Sequence, residues 1–258
     1  MKKFFAYAAA VSVCTLMLTA CGSSSNTGAD GNVTGNITTT TADTGSLEAA
    51  ASYASIEEFI RADDILNHVG EPVDAENSCT YTFLKSLDSG SEAYIKLYDI
   101  DTGTTMFIAS AENQYAVGTV SDDENISLIA TDGKVYLLDH ISKSGFDMEL
   151  SEEEYSGLLA NVSPEKILSG FSLDDGIDLE GLMSCKIAIG SELYTFEFED
   201  DTGGILYYPD GMICSYAYED SSPVIYNKFS VNVPAGTFDI PSDYEIAASP
   251  VDLTSLFE

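Results

Sequence analysis

Glu192-Leu193-Tyr194-Thr195-Phe196-Glu197-Phe198-Glu199 alternates aromatic and polar residues from Tyr194 to its end. A period of two is the mark of a β-strand, whose successive side chains leave on opposite faces. Tyr194, Phe196 and Phe198 therefore share one face, and Thr195, Glu197 and Glu199 share the other. Such a strand has one wet face and one dry face, and the dry face needs a cover. Downstream, Asp200 to Gly204 turns the chain into Ile205 to Tyr208, and Pro209-Asp210-Gly211 turns it again into Met212 to Tyr218. Leu182 to Ile189 precedes the alternating strand, and Val224 to Val233 is the last long strand.

Strand signals also fill the first half, about every eight to twelve residues. They run over Cys79 to Leu87, Glu92 to Tyr98, Thr104 to Ser110, Gln114 to Val120 and Ile126 to Thr131. Asp132-Gly133 is a two-residue hairpin turn into Lys134 to Leu138. Two capping boxes announce helices. Ser55-Ile56-Glu57-Glu58 opens the first, with Ile56, Phe59, Ile60, Leu66 and Val69 as its apolar face, His68 in its last turn, and Gly70 and Pro72 ending it. Ser151-Glu152-Glu153-Glu154 opens the second, with Leu158, Leu159 and Ile167 buried; Ser163-Pro164-Glu165 starts a further short helix. The fold class is mostly β (α+β), about ten or eleven antiparallel strands forming one curved sheet around helices.

The ends of the chain read differently. Met1-Lys2-Lys3 is basic, Phe4 to Leu18 carries no charge, and Leu18-Thr19-Ala20-Cys21-Gly22 follows. The apolar run is short for a spanning helix, which needs about 20 residues. Its end resembles the lipobox of bacterial lipoproteins, which implies cleavage after Ala20 and a diacylglycerol on Cys21. Two acyl chains suffice for stable anchoring, each buried CH₂ contributing about 0.8 kcal/mol. Residues 1–20 are thus expected to be a signal peptide, and 21–52 a lipidated tether rich in Ser, Thr, Gly and Asn. A coil of about thirty residues reaches about 30 Å. Residues 53–258 form the strand-rich domain. The expected location is the outer, extracytoplasmic face of the cell membrane, held by lipid.

Composition limits the partners. The chain has 43 acidic and 10 basic residues, a net charge of −33. Such a surface repels nucleic acid and anionic headgroups. Five cysteines reduce to Cys79, Cys185 and Cys214 once Cys14 leaves with the signal and Cys21 is lipidated. Three cysteines allow at most one disulfide, and all three sit in apolar runs that suit small buried hydrophobes. His68 and His140 are the two histidines, each without a neighbour at metal-ligand spacing, so neither a zinc site nor a Ser-His-Asp triad is expected. Asp99-Ile100-Asp101-Thr102-Gly103 starts like a calcium loop but lacks its closing acid, and reads as a turn. No enzyme, metal or cofactor is expected beyond the lipid on Cys21.

Three segments carry a family resemblance: Asp132-Gly133-Lys134-Val135-Tyr136, the meander Tyr194 to Tyr208, and Phe229 to Ile246 with its Phe238-Asp239-Ile240-Pro241 and Tyr244-Glu245-Ile246. Together they resemble the lipoprotein carrier superfamily (LolA-like, including LppX/LprG-type lipoproteins), over about Tyr53 to Ile246. The resemblance implies a half-open β-barrel with an N-terminal helix and plug helices, holding acyl chains or a lipidated partner between sheet and helices. It makes Tyr194, Phe196 and Phe198 candidate lining for a hydrophobic ligand. An anchored chain suits a tethered holder better than a shuttle. The alternative is a non-catalytic envelope module that engages a protein partner through its acidic surface.

Overall fold

The computed structural model describes residues 49–62, 68–87, 90–169, 181–199, 203–218 and 224–249. The lipobox, Cys21 and nearly all of the tether lie outside them, as does Leu66.

In chain order, β1 (Ala51–Tyr53) leads into α1 (Ile56–Ile60), then β2 (Glu71–Pro72), one 3-10 turn (Ala75–Asn77) and α2 (Cys79–Leu87). Six strands follow: β3 (Ala93–Asp99), β4 (Thr104–Ala111), β5 (Gln114–Val120), β6 (Asn125–Thr131), β7 (Lys134–Asp139) and β8 (Ser144–Glu149). Helices α3 (Glu152–Asn161) and α4 (Pro164–Ser169) precede β9 (Met183–Ile189), β10 (Glu192–Glu199), β11 (Gly203–Tyr207) and β12 (Ile213–Tyr218). The chain ends with β13 (Val224–Ser230) and β14 (Glu245–Ala248).

The fold is mostly β, with two large curved sheets not closed into a barrel. The expectation of one sheet is corrected. A six-stranded sheet runs β1-β9-β10-β11-β12 with β2 also on β9; an eight-stranded sheet runs β13-β3-β4-β5-β6-β7-β8-β14. The pairing is not purely antiparallel either. β1 joins β9, and β14 joins β8, in parallel. Both are short strands from the ends of the described chain, brought back by long connections, as parallel pairing requires. Each covers an open edge, where unpaired N–H and C=O groups would otherwise face outward.

Local signals account for most boundaries. The β6–β7 turn has Asp132 at φ 52° and Gly133 at φ 77°, the two left-handed residues of a type I′ hairpin. Ser151 and Glu154 form the reciprocal capping box of α3, and Pro164 takes the first position of α4. Ser55 Oγ accepts from Glu58 N at 3.1 Å. α1 then stops at Ile60, so Val69 is 87% exposed and does not extend an apolar helical face. His68 lies outside the helix and stacks on Phe59 instead, 6.0 Å between ring centroids.

Cys79 to Leu87 is a helix, not a strand. Its inward residues are Thr80 and Phe83, with Leu84 and Leu87 packed against the same core. That spacing is i, i+3, i+4, i+7, the helical period, and it overrides the strand propensity of Tyr81 and Phe83. β8 was not among the expected strands, although Phe146-Asp147-Met148-Glu149 alternates; that pattern is too short to stand out, and pairing with β7 and β14 completes the strand. Asp99 Oδ1 accepts from Asp101 N and Thr102 N, both at 2.9 Å, which makes the acidic loop a turn.

Candidate ligand-binding site

β10 is buried on both faces. Tyr194, Phe196 and Phe198 are 5%, 0% and 5% exposed. Phe59 of α1 meets Phe196 edge-on at 5.3 Å, and Phe198 stacks on Phe196 at the same separation. His68 closes the group at 5.8 Å from Phe196. Ile187, Leu206 and Cys214 complete this cluster beneath α1. The three aromatics expected to line a ligand are therefore together, in a packed core under the N-terminal helix.

The opposite face of β10 was expected to be wet. It is dry: Thr195 is 7% and Glu197 2% exposed. The cause is α2, which docks there. The Glu197 carboxylate accepts from Cys79 N at 2.7 Å, Thr80 N at 2.8 Å and Thr80 Oγ1 at 2.7 Å. Thr80 Oγ1 also lies 2.8 Å from the Tyr207 hydroxyl. A carboxylate at a helix N-terminus satisfies N–H groups that have no partner within the helix and meets the positive end of its dipole. Glu197 thus serves as the capping group for a helix 118 residues earlier in the chain.

The largest core lies between the sheets and three helices. The eight-stranded sheet contributes Ile95, Ile108, Val117, Leu128 and Leu137; the other sheet contributes Ile205 and Tyr207. Phe83 of α2, Leu158 of α3, and Ile167 and Leu168 of α4 cover them. The helical cover is thin. α3 fully buries only Leu158, and side chain to backbone bonds hold this region down: Ser110 Oγ donates to Val162 O at 2.7 Å, and Tyr155 OH to Asn113 O at 2.8 Å. Elements with few buried contacts open locally at lower cost than core strands.

Among the described residues Cys79, Cys185 and Cys214 are free thiols. Cys214 is buried, as expected of a small hydrophobe, while Cys79 and Cys185 are half-buried. Burial pushes the Cys185 thiol up to about 11 and Cys214 up to about 12, so neither is a thiolate at neutral pH. Among the described residues no group of His, Cys, Asp and Glu could hold a metal ion, and no helix is long and apolar enough to cross a membrane.

The outer face of the eight-stranded sheet is covered by the segment after β13, with Val233, Phe238, Ile240 and Tyr244 packed over Ala109, Ala116 and Ile129. A polar latch fixes it. Ser127 Oγ and His140 Nε2 are 2.8 Å apart, and His140 Nδ1 and Tyr244 OH are 2.8 Å apart. Ser127 is 2% exposed, and the relay ends on a phenol instead of a carboxylate, so it ties the strap down. Burial lowers the His140 pKa and nearby Asp139 partly opposes this. Between the unfolded value, about 6.5, and the lowered folded one, the unfolded chain binds more protons. The latch therefore contributes its full stability above about pH 6.5 and loses it as the pH falls through the lowered value. Tyr244→Phe is expected to cost about 1 kcal/mol in urea unfolding at pH 7.5. His140→Gln is expected to flatten the loss of stability between pH 7 and 5.

No family model matches the chain, and no curated protein matches it. Solved structures similar to it include an uncharacterized conserved protein from Thermus thermophilus, at 8% identity and a TM-score of 0.29, covering 67% of this chain and 100% of that one. A likeness at that TM-score carries no functional argument.

Proposed function

We propose that the chain is a membrane-anchored extracytoplasmic lipoprotein whose domain holds a hydrophobic ligand, an acyl chain or a lipidated partner, inside a half-open barrel. The observation that carries this reading is the inter-sheet core, an apolar concave face covered by three short helices. A face covered by another sheet has no removable part. α3 and α4, short helices that bury few side chains, are the removable part, and their departure uncovers an apolar strip.

The half-barrel rests on the meeting of β12 and β13. Ser215 Oγ donates to Val224 O at 2.7 Å, and the Tyr216 and Tyr226 rings meet edge-on at 5.9 Å. Side by side there, the two sheets, β9-β10-β11-β12 and β13-β3-β4-β5-β6-β7-β8, make the two walls of the half-barrel, with α2, α3 and α4 as plugs and α1 outside. The ligand then belongs among Ile108, Val117, Leu128 and Leu137, not beside Tyr194, Phe196 and Phe198. The anchor is the diacylglycerol proposed on Cys21, and the acidic excess keeps the tethered domain off anionic headgroups.

Native mass spectrometry of the Cys21→Ser chain, purified without detergent, tests this. The expected spectrum contains a species heavier than the polypeptide by one lipid, lost on organic extraction. A spectrum with the polypeptide mass alone, unchanged after incubation with palmitate, would overturn it.

A further inference from the structure

Thr119 Oγ1 is the buried side-chain polar atom without a hydrogen-bond partner among the described residues. Thr119 is 8% exposed. Its direction follows from register. It pairs with Met106 on β4 and Ile126 on β6, and beyond Met106 the row continues through Leu97 to Tyr226. Met106 and Tyr226 belong to the inter-sheet core, and Leu97 and Ile126 pack against it. Gly118, one residue earlier, faces the other way, where a Cβ would collide with the Phe107 ring of the outer cluster. The Thr119 hydroxyl therefore points into the concave interior.

Next to it lies an apolar row. Phe229, Ile95, Ile108, Val117, Leu128 and Leu137 pair across the sheet without a polar side chain. Thr119 stands at one end of this surface, since β5 ends at the next residue, Val120. Valine would fill the same space with no hydroxyl to desolvate. A buried hydroxyl without a partner costs about 1–3 kcal/mol, and that cost disappears once an acceptor arrives.

We infer that Thr119 donates a hydrogen bond to the carbonyl oxygen of a bound acyl chain, free acid or ester, whose tail lies along the Ile108–Val117–Leu128 row. This rests on the half-barrel reading and sharpens it. An acyl chain brings an acceptor to the Thr119 end and hydrocarbon to the interior; an alkane brings no acceptor. Thr119 thus selects acyl compounds over plain hydrocarbon.

The test uses the full chain carrying Cys21→Ser, with and without Thr119→Val. Affinities for palmitic acid, methyl palmitate and octadecane are read by displacement of diphenylhexatriene, a probe with no oxygen. Thr119→Val is expected to weaken one or both acyl ligands about five-fold, the size of one neutral hydrogen bond. Octadecane is expected to bind both proteins equally, and the ligand-free melting temperature to stay level or rise. Loss for the acid alone assigns a free fatty acid; loss for the ester assigns an acylated lipid. Equal affinities of the two proteins for both acyl ligands would overturn the inference, as would a lowered ligand-free melting temperature. If the unsubstituted protein binds neither diphenylhexatriene nor any of the three, the half-barrel reading itself fails.

Discussion

Glu197→Ala is expected to destabilise the domain by about 3–5 kcal/mol in urea unfolding. The carboxylate is 2% exposed and accepts three hydrogen bonds, two of them from the first N–H groups of α2. Alanine leaves Cys79 N–H, Thr80 N–H and the Thr80 hydroxyl without this acceptor, in a site that water does not reach. Each lost bond to a charged acceptor is worth about 1.5–3 kcal/mol, and the losses overlap because all three donors sit on one turn. Glu197→Gln keeps one acceptor oxygen but turns an amide NH₂ toward an N–H donor, so an intermediate loss is expected. The loss is to be accompanied by faster hydrogen exchange across residues 79–87. A cost below about 1 kcal/mol for the alanine variant would mean that α2 is held by Phe83 and its neighbours alone.

Phe196→Ala is expected to cost about 3–5 kcal/mol as well, by a different route. The ring is fully buried, and three others contact it: Phe59 at 5.3 Å, Phe198 at 5.3 Å and His68 at 5.8 Å. Removing it opens a cavity that α1, a helix of five residues, has little means to collapse into. The same substitution separates two roles for this face. If Tyr194, Phe196 and Phe198 are core, Phe196→Leu lowers stability by about 1–2 kcal/mol and leaves palmitate affinity unchanged. If they line the ligand, the affinity falls instead.

The strands were the most legible part of the sequence. Gln114 to Val120 and Glu192 to Glu199 are strands at the limits their period suggests, and Asp132-Gly133 makes the expected turn. The caps at Ser55 and Ser151 hold for the same reason, since each depends on residues within one helical turn. What failed depends on distant partners. Period two told that Glu197 and Phe196 face opposite ways, but not that both faces are covered. Nothing local to Glu197 announces an acceptor for residues 79 and 80. β14 is a strand because it pairs with β8, not because of its own four residues. The same limit hid the candidate site. Its lining comes from four neighbouring strands, β4 to β7, and Thr119 reads in sequence as one more residue of β5. Its signal is the missing partner, which only packing can reveal.

The concave face is tested most directly by methyl NMR with a spin-labelled fatty acid, 16-doxylstearate, added to the Cys21→Ser chain. A ligand held between the sheets and α2–α4 broadens the methyl resonances of Ile108, Val117, Leu128 and Leu137 and spares those of Ile187, Ile189 and Leu206 under α1. Broadening of the second group in place of the first, or of neither, would contradict a half-barrel that holds its ligand inside.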